Sequence, residues 1–191
     1  MTEQSYLNPQ NIKSQCTGAI NNLNEDIKSL EVTKKAINNF MNASELQGDA
    51  FTNLKESMGQ YLELIDKLIA ANNADISDFK TLANLVGSEV LDGGIIKPNQ
   101  RRAWDSKSSN ENRASDYRCK ASGADDPVYA AYYSGMAWYY DRLAGSDYQT
   151  YCYWTNKENK FDTIEYSTRN LFEDSHELRA LCKCQQYTEL C

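Results

Sequence analysis

After Pro9, apolar or small side chains recur every three or four positions at Ile12, Cys16, Ile20, Leu23, Ile27, Leu30, Ile37 and Met41, with Lys34 the one interruption. A stripe of that period lies on one side of an α-helix, so the spacing predicts one amphipathic helix of about nine turns, with Asn, Lys, Glu and Asp on its wet faces. A second series runs through Phe51, Leu54, Met58, Tyr61, Ile65, Leu68, Ile76, Phe79, Leu82 and Val86, with Asn72 where the next member is due. It predicts a helix as long as the first. Two such helices joined by only about eight residues must run antiparallel, each stripe covering the other.

The connection "SELQGDAF" then has a physical task. Gly48 allows a sharp backbone turn where a Cβ would clash, Asp49 stands where it can cap the second helix and complement its dipole, and Leu46 can fold back as an apolar clip.

Beyond Val86 the pattern breaks up. "GSEVLDGGIIKPNQRR" has Gly87, the Gly93-Gly94 pair and Pro98 around two short β-branched patches, which reads as a turn or a small β-hairpin. The next stretch, "DSKSSNENRASDYRCKASGADD", has almost no apolar residue and is expected to be a long loop. Pro127 behind Asp125 and Asp126 is placed to begin a helix, and Val128, Tyr132, Met136, Tyr139 and Leu143 continue it to Gly145. A last series, Phe161, Ile164, Thr168, Leu171, Leu178 and Cys182, predicts a fourth helix starting near Ser146 and closing a bundle.

Composition narrows the class without changing this picture. With 191 residues, 41% hydrophobic and 25% charged, nine Gly and three Pro, the chain is long enough for one domain with a real core and has the make-up of a helix-rich globular protein. The longest apolar stretch, "YLELIDKLIAA", is broken by charges and falls short of the roughly 20 residues that cross a bilayer, so no membrane span is expected. The N-terminus has neither a basic n-region nor an apolar h-region, which predicts no Sec signal peptide and, if the protein leaves the cell, another export route. A net charge of −7 argues against nucleic acid as a partner. Charge is uneven, with seven basic against three acidic residues between 97 and 120, which reads as a solvated loop rather than a binding patch.

Reactive groups are sparse. The six cysteines lack the paired spacing of a zinc site. His176, Cys182, Cys184 and Cys191 fall close together, yet Cys-x-Cys on a helix points its thiols apart, so the expectation is no metal, and nothing calls for a cofactor. His176 reads as a solvated surface histidine among acidic neighbours. Cys119 and Cys152 flank the third helix and either form a disulfide or stay free. The cluster "YAAYYSGMAWYYDRL", followed by Tyr148, Tyr151, Tyr153 and Trp154, reads first as core packing and second as a protein-binding surface. No phosphate loop, Ser-His-Asp order or diagnostic carboxylate pair is present in the sequence, and an enzyme is not expected.

The combination in residues 37 to 96 is a helical run, Leu46-Gln47-Gly48, a small and apolar start at Ala50-Phe51, then "YLELIDKLI", "ISDFKTLANLVG" and a β-prone tail. It resembles the LXG family, named for that tripeptide. The C-terminal "KFDTIEYSTRNLFEDSHELRALCKCQ" also looks like the last helix of LXG domains, so the resemblance covers roughly the first half and last fifth of the chain. It implies the N-terminal targeting module of a type VII secretion effector of Gram-positive bacteria, many of which are toxins. It further implies small helical-hairpin (WXG-like) partners that present the module to the secretion machinery, and export without a Sec signal. Effectors of this kind carry a toxin domain after the LXG domain.

The expected architecture is therefore all-α and a single domain. Residues 1–90 form a long antiparallel hairpin, 91–155 a variable Tyr/Trp/Cys-rich lobe with a loop-rich or β-hairpin insertion, and 156–191 a closing helix of an elongated bundle. Leu46, Gly48, Phe51, Tyr61 and Phe79 are the candidate partner-binding or motif residues. The alternatives are a small secreted toxin with its activity in residues 97–155, or an extracellular adhesin or receptor-binding protein.

Overall fold

A computed structural model describes residues 1–188, with side chains through residue 181. Its elements are β1 (Tyr6–Leu7), α1 (Pro9–Met41), α2 (Asp49–Leu85), β2 (Leu91–Asp92), α3 (Gly93–Ser122), α4 (Pro127–Thr168) and α5 (Glu173–Thr188). The fold is all-α apart from the antiparallel β1–β2 ladder, which pairs Tyr6 with Asp92 and Leu7 with Leu91. The chain divides into two compact units, Pro9–Ser88 with Ser167–Cys191, and Met1–Asn8 with Glu89–Tyr166.

In the first unit α1 and α2 form the expected antiparallel hairpin. Pro9 opens α1, where its missing N–H leaves no hydrogen bond unmade. Three contacts keep one register: Lys13 Nζ donates to the Gly87 carbonyl, Lys34 pairs with Asp66, and Met41 Cε lies 3.6 Å from the Cβ position of Gly59. Each step along α1 is matched by an equal step back along α2, so the pair has no bulge or slip. Its buried apolar positions include Cys16, Ile65, Ala71, Ile76 and Val86, and the polar Asn72 and Asp75 are buried beside them. Gly87, at φ 64°, ends α2 in the left-handed conformation that a helix C-terminus asks of glycine. α5 packs on the base of α2.

The second unit differs from expectation. The polar stretch read as a loop is the body of α3, a helix of 30 residues that pairs with α4 along their length. The expected loop-rich or β-hairpin insertion is thus a second helical hairpin, and only Leu91 and Asp92 of that region are strand, paired with the N-terminus rather than with each other. After Ile96 in the first turn of α3, the buried positions of α3 and α4 are Ala103, Asn110, Ala114, Ala137 and Ala144. They recur at near-heptad spacing, but beyond Ile96 they are small or polar, so a search for large apolar residues does not register them. Polar pairs cross the same seam: Lys97 and Gln100 with Glu158, and Ser106 Oγ and Asn110 Nδ2, each donating to Asp147 at 2.8 Å.

Gly145 does not end a helix, and no helix starts near Ser146. α4 continues to Thr168, because Ala144 and Asp147 on either side of the glycine are held against α3 while Gly145 faces open space. The break comes instead at residues 169–172, where Phe172 has φ 72°, so the expected closing helix from 156 is the end of α4, a turn, and α5. Gly93 is the tightest point of this unit. Its N–H donates to the Ser5 carbonyl at 2.8 Å, and a Cβ would stand 1.8 Å from the Thr2 carbonyl oxygen.

Candidate functional site

The hairpin corner is built from residues 42–50. Gly48 is the N-cap of α2 at φ 109° and ψ 161°, a conformation that is essentially glycine's alone. Its carbonyl accepts from the Phe51 and Thr52 N–H groups at 3.0 Å. Asp49 is the first helical residue rather than the cap, and no side chain caps this end; its carboxylate sits in the first turn, where the helix dipole favours it. Leu46 is half-buried, and Lys55 Nζ donates to the carbonyls of Leu46 (3.2 Å) and Ala43 (2.7 Å), tying the corner to α2.

Beyond the corner, the α2 face is uncovered. Phe51 is 38% exposed, Leu54 41% and Tyr61 52%. Tyr61 and Phe79 are 18 residues apart, which is about five helical turns, so they share one face. At the far end of that face the fold supplies its own cover. The Phe79 ring packs on Phe172 with centroids 4.7 Å apart, Asp78 accepts the Phe172 N–H at 2.7 Å, and Arg179 donates to Asn72 (3.0 Å) and Asp75 (2.5 Å). Asp75 is 5% exposed, so Arg179 answers a carboxylate that would otherwise be buried without a partner.

The predicted residues thus separate by role. Leu46 and Gly48 shape the corner, Phe51 and Tyr61 lie on the open face, and Phe79 is engaged by Phe172 in the turn that leads into α5. Leu54 joins the open face, and Arg179 was not anticipated. The signal for Arg179 lay in Asn72, the polar interruption of the α2 stripe, followed one turn later by Asp75: two polar residues at buried positions require a partner.

The aromatic cluster is not core. Alanines fill the α3–α4 seam, while Trp104, Tyr132, Trp138, Tyr139 and Tyr153 are all exposed. Several rings carry cations: Lys107 over Trp104, Arg113 over Tyr140, and Lys157 over Tyr153. The basic surplus between 97 and 120 is largely partnered within the unit, through Lys97–Glu158, Arg101–Glu3, Lys107–Glu111 and Arg118–Asp141. Burial pushes the Glu158 carboxyl up, but hydrogen bonds from Lys97 and Gln100 outweigh it and leave the group below its ordinary range. The Tyr148 phenol is raised, chiefly by its hydrogen bond with Cys152.

Cys119 and Cys152 form no disulfide; both are free. On α4, Arg118 meets Asp141 and Trp104 meets Tyr151, so Cys119 sits near the level of Asp141. Cys152 is 11 residues further along α4, about 16 Å at the helical rise, beyond disulfide reach. Cys16 is buried, and burial raises its thiol pKa. His176 is exposed on α5, while Cys182, Cys184 and Cys191 lie outside the residues whose side chains are described. Among the described residues no three His, Cys, Asp or Glu side chains gather as a metal site, and no helix is long and apolar enough to cross a membrane. No protein-family model, curated protein or solved structure matches the chain.

Proposed function

We propose that this chain is a non-catalytic targeting and interaction module of a type VII secretion effector, exported without a Sec signal. In this reading the α1–α2 hairpin binds small helical-hairpin proteins that present it to the secretion machinery. The observation that carries it is the α2 face from Phe51 to Tyr61, left open beside a stretch of the same face that α5 occupies. A helix already seated on α2 supports helix-in-groove recognition, in which a second amphipathic helix buries Phe51, Leu54 and Tyr61 in the same way. The Leu46-Gln47-Gly48 corner, with a glycine-only conformation at Gly48, supports the LXG-like reading.

Coexpression with the small helical-hairpin proteins encoded beside it tests this. One of them copurifies with the parent chain and is lost with Tyr61→Asp, while helicity by circular dichroism is unchanged. Failure of every such protein to copurify removes the reading.

A second reading, an extracellular ligand-binding or adhesive protein, is favoured by the exposed tyrosines and tryptophans of α3 and α4. Expression of the chain in a bacterium separates both from the toxin alternative in residues 97–155, since growth inhibition would support a toxin.

A further inference from the structure

We propose that the groove between α3 and α4 near their connecting turn binds a neutral pyranose unit of a glycan, stacked on Trp138. A shallow, solvent-open hollow of about 470 Å³ lies there, bordered by Arg118, Ser122, Ser134, Trp138 and Asp141. Ligand sites commonly measure ~300–1,000 Å³, so a single sugar ring fits there. Its lining includes two alanines, Ala121 and the buried Ala137, small side chains that leave room between the helices.

The walls specify the ligand. Trp138 is 61% exposed, an indole held in place by the Arg142 guanidinium 5.1 Å from its ring centre. So large an exposed aromatic surface favours a ligand with a flat apolar face, which the axial C–H bonds of a pyranose with equatorial hydroxyls provide. Polar groups border the same hollow. Arg118 Nη2 donates to both Asp141 oxygens, at 2.6 and 2.5 Å, so the groove holds a donor and an acceptor side by side with their charges cancelled. Ser122 Oγ donates to the Cys119 carbonyl at 2.9 Å, which leaves its oxygen lone pairs as acceptors, and Ser134 adds a second hydroxyl. Sugar hydroxyls both donate and accept, and suit such a wall. An anion finds Arg118 already neutralised by Asp141, and a flat aromatic ligand makes no use of the remaining hydrogen-bonding capacity of the hydroxyls and the ion pair.

The groove lies wholly within the α3–α4 unit, so this inference does not rest on the partner-helix reading. The test is saturation-transfer NMR on the full chain with cellotriose and chitotriose as probes and trigalacturonate as the anionic comparison. Binding of a neutral probe is expected with a dissociation constant of about 1 mM, the range of a single shallow site. Trp138→Ala weakens it about ten-fold or more, Asp141→Asn weakens it while keeping the wall's shape, and Tyr153→Ala, an exposed ring elsewhere on α4, leaves it unchanged. Trp138 is exposed, so the variant keeps its helicity and its behaviour in copurification. No transfer from either neutral probe at about ten times that concentration, transfer that survives Trp138→Ala, or tighter binding of the anionic trimer overturns the proposal.

Discussion

Gly48 shows how one residue sets the hairpin corner. No atom stands within 4 Å of a Cβ added there, so the cost of a side chain is torsional rather than steric. At φ 109° and ψ 161° that cost is about 1–3 kcal/mol. Gly48→Ala is therefore expected to lower stability by that amount in urea unfolding without altering the helical signal. Glu89 acts through charge. Hydrogen bonds from Lys157 first, then Lys160, hold its carboxyl below the ordinary range, and the Glu89 hydrogen bond holds the Lys157 amine above its own. The stability contributed by Glu89 is complete above its unfolded pKa of about 4.3 and is lost as pH falls through the lowered folded value. The Lys157 contribution is present below about 10.4 and is lost as pH rises through its raised folded value. Glu89 is 39% exposed in its side chain, so solvent screening limits the effect to about 1 kcal/mol or less. Glu89→Gln is expected to flatten the acid side of the urea midpoint against pH, the variant and parent converging once pH falls below the lowered folded value of Glu89.

Among the elements, α3 was the least legible. Its seam is Ala103, Asn110 and Ala114, with Ser106 and Gln100 beside them, and a rule that counts large apolar residues sees only a polar loop. What makes it a helix is the partner: α4 offers Ala137, Ala144 and Asp147 at matching levels, close packing of small side chains substitutes for bulk, and polar pairs fix the register. Ala114 is fully buried, so Ala114→Leu is expected to overpack the seam and destabilise by about 1–3 kcal/mol in thermal unfolding. Ala131→Leu, on an exposed position of α4, is expected to change little. α1 and α2 were legible from periodicity alone, because their stripes of Ile, Leu, Met and Phe carry the burial signal in the residues themselves. α5 was half legible. Its helical period was visible, but its separate start was not, since the break depends on Phe172 adopting φ 72° while its N–H is held by Asp78 and its ring by Phe79.

At the scale of the whole molecule, the chain is threaded through two units. The N-terminal residues return to pair with Leu91 and Asp92, and the C-terminal helix returns to α2. The prediction that belongs here concerns partners. The face from Phe51 to Tyr61 is expected to be protected from hydrogen exchange when a cognate helical-hairpin protein is bound, with Tyr61→Asp abolishing that protection. The amino-acid sequence by itself determined the two long amphipathic helices, their antiparallel sense and the glycine corner, because period, loop length and backbone freedom are local properties of the chain. It also placed Phe51 and Tyr61 on one face. Only the tertiary structure decided that Phe79 is taken by Phe172 in the turn before α5, that Asn72 and Asp75 are answered by Arg179, and that a polar stretch pairs as α3 with an alanine seam. Each of those outcomes depends on a partner more than 30 residues away, and neither propensity nor periodicity in a local window encodes what a distant segment brings to the contact.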